Sequence, residues 1–290
     1  MSAAPPGPCD VCGRALARYR HVWLWRCAAC RTLRSTFPVA IPHEAGGDAL
    51  DEALRESGLA AVRTRNNAWL LAALKARSFE GARLLDVGSG PGFLLDAARA
   101  EGFQPEGIEP DANTVAAAAA RGAPVRHGYF PDALEPGERF DVIVFNDVIE
   151  HIPDLAAALK ACADHLTPGG LLCLNCPDRR GLFFRTADLL DRLGLGGAYD
   201  RLWQRDMPSP HIWYFTPEGL TRAAARHGFA PETEVALASI DPQGLWSRIR
   251  YVKGQSILLS AAAWLFALAA YPATAVWPDS VACIFRARRG

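Results

Sequence analysis

The chain has 290 residues, half of them hydrophobic, and its 31 basic residues balance its 31 acidic ones. That length and composition suit one large domain or two unequal ones around a sizeable core, and zero formal charge gives no overall attraction to nucleic acid. No positively charged start followed by an apolar run opens the sequence, so a secretory leader is not expected, and its eight cysteines read as metal ligands or free thiols rather than disulfides.

The first 40 residues carry Cys9-Asp10-Val11-Cys12 and, after fourteen intervening residues, Cys27-Ala28-Ala29-Cys30. Two knuckles of this spacing bring four thiolates onto one tetrahedral metal, and a thiolate quartet favours zinc. Closed coordination leaves no open position for catalysis, so the expected Zn2+ is structural and supplies stability that so short a piece lacks. The strand His21–Arg26 between the knuckles fits a ribbon hairpin over residues 1–40. Six arginines (Arg14, Arg18, Arg20, Arg26, Arg31 and Arg34) face a single acid, Asp10. They form either a solvated face or a guide for an anionic substrate: a phosphorylated or nucleotide-linked sugar, a lipid-linked diphosphate, or RNA.

Residues 41–80 read as a linker followed by helix. Helical apolar spacing covers Asp48–Leu59 and Arg63–Arg77, with Trp69, Leu70, Leu71 and Leu74 as the buried stripe.

From residue 81 to 290 the pattern alternates. A buried strand, Leu84–Val87, runs into Gly88-Ser89-Gly90-Pro91-Gly92 and then a helix, Phe93–Glu101. Glycines at 88, 90 and 92 permit a sharp turn and close approach of a ligand, and the helix points free N–H groups into the same space. Asp86 precedes the first glycine by two residues, and Gly107-Ile108-Glu109-Pro110-Asp111 ends the next strand 17 residues after Gly92. A carboxylate there accepts hydrogen bonds from ribose hydroxyls, which points to a nucleoside-bearing ligand. Helix Asn113–Arg121, with alanines at 116 to 120, and strand Pro124–Gly128 continue the alternation of a parallel doubly wound sheet. Strand Val142–Phe145 ends at Asn146-Asp147, and Glu150-His151 follow, with an imidazole suited to proton transfer near neutral pH. Leu166-Thr167-Pro168-Gly169-Gly170 precedes a strand whose Cys173 and Cys176 read as core thiols.

With these motifs in this order, Arg63 to Phe229 resembles the class I S-adenosylmethionine-dependent methyltransferases, in the branch of the ubiquinone-pathway O-methyltransferases. The resemblance implies an α/β, Rossmann-like, doubly wound sheet of seven mostly parallel strands. It implies that Asp86, Gly88, Ser89, Gly90, Gly92, Glu109, Pro110, Asn146 and Asp147 hold S-adenosylmethionine. Phe130 or Tyr129 would border the adenine, and the 41–80 helices would cover the pocket while remaining mainly structural. His151 and His211 would face the acceptor, each either moving a proton or shaping the pocket. Zinc-bearing N-termini occur in members resembling sugar C-methyltransferases and ribosomal RNA methyltransferases, so the zinc does not choose between them.

Residues 178–215 mix Phe183, Phe184, Trp203 and Met207 with Arg179, Arg180, Arg185, Arg201 and Arg205, a composition suited to covering an amphipathic or anionic acceptor. Thr216 then caps a helix through His227. From residue 254 to 278 no charged residue occurs, and Ile257–Ala270 is apolar on every helical face, long enough to suggest a membrane span. Val281–Phe285 nevertheless reads as the last strand of the sheet, beside Glu232–Ile240, and a crossing would strand it on the wrong side of the bilayer. Two readings stay open: a buried helical hairpin, or a monotopic insertion flanked by Arg248, Arg250, Lys253, Arg286, Arg288 and Arg289 on an anionic membrane face. The expectation is therefore a cytoplasmic methyltransferase, free or peripheral on the inner face of the membrane. Its acceptor would be a glycan precursor, a lipid- or nucleotide-linked molecule or another small molecule, with oxygen ahead of carbon. RNA methylation and a non-catalytic binding role are the alternatives, and nucleic acid is the less favoured partner.

Overall fold

The computed structural model describes residues 7–39, 51–207 and 209–288. The N-terminal piece forms three short antiparallel strands, β1 (Leu16–Tyr19), β2 (His21–Cys27) and β3 (Leu33–Ser35). A single helix, α1 (Glu52–Lys75), follows where two helical stretches were expected, and Asp51 caps it by accepting from Leu54 N at 3.0 Å. The start expected at Asp48 lies outside the described residues. Gly58 does not break this helix. A Cβ there would come within 2.4 Å of the backbone nitrogen of Arg248, so the glycine lets a second helix approach.

The alternation then proceeds through β4 (Arg83–Val87), α2 (Phe93–Ala100), β5 (Gln104–Glu109), α3 (Ala112–Ala120), β6 (Val125–His127), β7 (Phe140–Asn146), α4 (Leu155–His165) and β8 (Leu166–Pro177). Two cover helices, α5 (Leu182–Arg192) and α6 (Gly197–Leu202), lead to the two-residue strand β9 (Trp213–Tyr214). Helix α7 (Pro217–Ala225) is capped by Thr216, which accepts from Gly219 N. The chain ends with β10 (Phe229–Leu237), α8 (Leu245–Arg250), α9 (Ile257–Ala270), a 3-10 turn at Tyr271–Ala275 and β11 (Ser280–Ala287).

Seven strands form one sheet in the order β10-β11-β8-β7-β4-β5-β6. Every neighbouring pair is parallel except the two made by β11. Because a strand alternates its side chains, β7 sends Ile143 and Phe145 to one face and Val142 and Val144 to the other, each pair joining a separate apolar layer, while a register shift after Phe140 puts that ring with the first pair. Burying each such side chain contributes about 2 kcal/mol. The strand order reverses between β4 and β7, so the crevice of this sheet opens at the carboxyl ends of those two strands.

A second sheet, β1-β2-β3-β9, joins the ribbon to the main domain through Leu33↔Tyr214 and Arg34↔Trp213. Trp23, Leu24 and Leu33 of the ribbon pack with Phe184, Tyr199 and Trp203 of the cover. Asp188 and Asp191 on or beside α5 pair with Arg20 and His21. Several of the ribbon's arginines are thus held by its own fold: Arg20 by these carboxylates, Arg34 over the Trp213 ring, and Arg18 over Trp25.

Helix α9 is not buried within the chain. Only Ser260 and Ala267 of its residues are buried, because α8 and the 3-10 turn offer it one narrow stripe.

Candidate active site and thiolate cluster

The glycine turn after β4 uses its three glycines for different reasons. All have positive φ, at 69°, 53° and 87° for Gly88, Gly90 and Gly92. A Cβ at Gly88 would lie 2.7 Å from Val148 Cγ2 and one at Gly92 would lie 2.5 Å from Ala123 Cβ, whereas one at Gly90 meets nothing within 4 Å. Gly88 and Gly92 are therefore fixed by packing, and Gly90 presents its bare face to open space, as a backbone that receives a ligand requires.

Glu109, at the end of β5, reaches this turn. Its Oε2 accepts from Gly90 N at 3.0 Å and its Oε1 accepts from Asp111 N at 3.0 Å. Asp86 is 2% exposed, and its Oδ1 has no hydrogen-bond partner among the described residues. Burial, with the Glu109 carboxylate adding to it, pushes the Asp86 pKa up to about 8. Ser89 folds over Gly107, where a Cβ would come within 2.3 Å of Ser89 Oγ, and that hydroxyl is likewise buried without a partner. The Pro110 carbonyl lies 3.0 Å from His127 Nε2. Phe130 sets its ring edge-on to Phe145 with centroids 5.5 Å apart, while Tyr129 is exposed, so Phe130 is the aromatic that lines the core side.

At the end of β7, Asn146 Oδ1 accepts from Asn175 Nδ2 at 2.7 Å, and Asn175 Oδ1 accepts from Ser280 Oγ at 3.0 Å. Asp147 adopts φ 58° and donates its N–H to the Asn175 carbonyl. The β4–β7 switch point thus gathers Asp86, the glycine turn, Glu109 and Asn146. This set fits S-adenosylmethionine: Glu109 can accept from the ribose, Gly90 leaves room for the backbone approach, and the unpaired Asp86 oxygen suits a cationic group.

The two histidines meet although 60 positions separate them in the chain. Their rings are 4.8 Å apart and nearly perpendicular. His151 Nδ1 lies 2.9 Å from the Pro210 carbonyl, which fixes the tautomer with Nδ1 donating and leaves Nε2 to accept a proton. Burial lowers the pKa of His151, and that of His211 falls further because it is more deeply buried and faces His151. His211 sits with Nε2 2.9 Å from Gln204 Nε2, while its backbone accepts from Ser35 Oγ at 2.8 Å and so ties the ribbon to the cover. The cluster has two further members: Glu150, to which the sequence reading assigned no separate role, and Gln204, which it did not single out. Glu150 is 1% exposed with Oε2 unpartnered among the described residues, and burial, with the Asp147 carboxylate adding to it, raises its pKa well above the usual carboxylate range. Gln204 gave no signal of its own, since only the fold brings it back to His211.

The four ribbon cysteines converge. Cys9 and Cys30 Sγ are 3.6 Å apart, Cys12 and Cys27 Sγ are 3.4 Å apart, and all four lie within 4.8 Å of one another. A tetrahedral Zn–S bond of about 2.3 Å separates sulfurs by about 3.8 Å, so the quartet fits zinc. Each knuckle closes with N–H groups folded back to a cysteine carbonyl: Gly13 N to Cys9 O at 2.6 Å and Arg31 N to Cys27 O at 2.9 Å. Gly13 takes φ 72° without strain, whereas Arg31 holds φ 62° with a side chain attached. Glu150, His151 and His211 form the other group of metal-capable ligand atoms within 4.8 Å among the described residues.

Residues 47–234 match a protein family described as Methyltransferase domain. The ubiquinone biosynthesis O-methyltransferase of Rhodopseudomonas palustris (strain BisA53) is 33% identical over 153 residues, covering 50% of this chain and 57% of that protein. The protein of the same name from Methylobacterium sp. (strain 4-46) is 28% identical over 260 residues, covering 86% of this chain and 94% of the other. Against the first three curated relatives the chain spans only 57%, 56% and 40% of their length. Among solved structures, the cyclopropane synthase MmaA2 from Mycobacterium tuberculosis has a TM-score of 0.57 at 17% identity, with 86% of this chain and 90% of that one covered. The complex of the Haloferax volcanii Trm112 methyltransferase activator with a methyltransferase gives 0.55 at 14% identity, covering 81% and 94%. At such identities the likeness is one of fold, and the fold agrees with the seven-stranded sheet expected from the sequence.

Proposed function

The chain belongs to the methyltransferase family whose domain matches residues 47–234, and on that premise we propose that it transfers a methyl group from S-adenosylmethionine to a hydroxyl of a lipid-linked small molecule. The observation that carries this reading is the junction of Gly90 N with Glu109 Oε2 at 3.0 Å, at the switch point of the sheet and in the same crevice region as the β7 end. S-adenosylmethionine, when bound, supplies an electrophilic methyl carbon on a sulfonium. Glu109 holds the ribose end, the glycine turn admits the chain of the ligand, and Asp86 offers a carboxylate to its ammonium. His151, with Nδ1 engaged by Pro210, would take the acceptor hydroxyl proton at Nε2 and so ready the oxygen for the methyl group that the bound cofactor would supply. His211 and Glu150 position that imidazole.

Oxygen as the accepting atom is supported by the relatives named as O-methyltransferases and by an imidazole kept neutral by burial, since a base matters most for a hydroxyl. The zinc of the ribbon is assigned a structural role, holding the piece that anchors the cover. An RNA substrate is supported less, because ribbon arginines are engaged within the protein. The test is transfer of labelled methyl from S-adenosylmethionine by the full chain to polyprenyl-linked hydroxyl compounds, glycan precursors as nucleotide sugars, and RNA. Label in the extracted lipid supports the proposal; label only in RNA, or turnover with none of them, refutes it.

A further inference from the structure

We propose that α9 and the turn after it, Ile257–Ala275, dock the protein on one face of an anionic lipid bilayer without crossing it. The stretch is long and apolar enough to span a membrane by length and composition, yet only 11% of it is buried in the protein. Leu258 is 78% exposed, Leu259 73% and Leu265 61%, an apolar surface facing away from the fold.

Topology excludes a crossing. The excursion leaves the sheet after Leu237 and returns at Ser280, and these two residues are directly paired across β10 and β11. Both ends therefore lie on the same side of any bilayer.

The residues around the helix suit a lipid interface. Trp246 and Trp277, 40% and 44% exposed, precede and follow the helix, and the Trp246 ring lies 6.4 Å from that of Trp264, which with Tyr271 packs on the protein-facing stripe. Such rings with one polar atom favour the headgroup level. Between residues 242 and 278 the chain has no acidic residue and three basic ones, of which Lys253 is exposed and Arg250 partly so, while Arg248 turns inward to donate to the Ser239 carbonyl. This sign complements anionic headgroups. A second copy of the chain seated face to face on this helix would oppose the same cations to each other, so lipid is the occupant the charges favour.

The placement also has a consequence for access. Strand β10 is parallel to β8, so its end at Leu237 lies at the carboxyl edge of the sheet where the crevice opens, and Ser280 connects through Asn175 to Asn146. A docked helix brings that edge to the lipid surface. Docking itself does not depend on the proposed methyl transfer.

The test is flotation of the full-length protein with phosphatidylcholine vesicles, with and without phosphatidylglycerol, for wild type and Leu258→Glu/Leu265→Glu. Wild type floats with the anionic vesicles and releases with salt, and the bound fraction falls about tenfold or more in the variant. Both substituted side chains face solvent, so the melting temperature stays unchanged. Quenching of wild-type tryptophan fluorescence by brominated lipid, reduced in Trp246→Phe/Trp277→Phe, provides a readout that does not need the charged variant. Flotation unaffected by the variant, or absence of both flotation and quenching, overturns the proposal. So does a lipid-free dimer that the variant dissociates without any vesicle binding, which would assign the face to a second copy.

Discussion

Replacing Asp86 with asparagine removes a buried, unpartnered carboxyl from the crevice. Its carboxyl is 2% exposed, one oxygen lacks a donor among the described residues, and its pKa rises from 3.8 to about 8 through burial first and Glu109 second. A carboxyl that holds its proton more tightly when folded than when unfolded lowers stability as pH climbs from the unfolded value to the folded one, and no further above it. At about 1.4 kcal/mol per pH unit, this residue alone withdraws about 2 kcal/mol between about pH 6 and pH 8, and on the order of 5 kcal/mol in full. Urea unfolding of wild type and Asp86→Asn across this range should give free energies that diverge by about 2 kcal/mol in favour of the variant as pH rises. Binding of S-adenosylhomocysteine adds an ammonium that favours the ionised carboxyl. Wild-type affinity should therefore strengthen as pH rises toward about 8, with proton release detectable in buffers of different ionisation enthalpy. The variant should bind more weakly and without that pH dependence. Parallel stability curves, or equal pH dependence of binding in both proteins, would refute the reasoning.

Gly88→Ala and Gly92→Ala should each destabilise by about 2 kcal/mol, since the new methyl collides with Val148 or Ala123, as urea melts would measure. Gly90→Ala meets no atom within 4 Å, so it should lose only about 1 kcal/mol to its φ of 53° while weakening cofactor binding by about tenfold in calorimetry. His151→Ala should lower kcat by about a hundredfold or more with cofactor affinity nearly unchanged. Because burial lowers the His151 pKa, the wild-type rate should rise with pH only below the ordinary histidine value of 6.5 and stay flat through neutrality. Chelation of the full-length protein should release about one zinc per chain and lower its melting temperature, and Cys27→Ser should reproduce that loss by elemental analysis and calorimetry.

The parts legible in the sequence were those whose signal is local. The glycine turn, Glu109 at the end of the next strand, the two Cys-x-x-Cys knuckles and the Thr216 cap each declare themselves within a few residues, and each stands where the spacing put it. The pairing of β10 with β11 was legible from two apolar runs and the family's order of elements. What escaped depends on distant partners. Strand β9 has two residues and no period to read, yet it completes the ribbon sheet. The charge excess in the ribbon drew attention to anionic ligands, while Arg20 finds Asp188 from α5. The two helical patterns at 48–59 and 63–77 belong to one continuous helix in the described residues, in which Gly58 serves the approach of α8. Glu150 was visible in the Glu-His pair, and only the fold shows how deeply it is buried beside the histidines. The two open readings of α9 could not be separated by composition, because an apolar helix looks the same whether protein or lipid covers it. Its exposure removes the buried alternative.

Isothermal titration of S-adenosylhomocysteine into the full-length protein and into Glu109→Ala tests the central assignment most directly. The geometry predicts saturable one-site binding in wild type, weakened by at least about tenfold when the carboxylate beside Gly90 is removed. No binding to wild type, or the same affinity in both proteins, would contradict it.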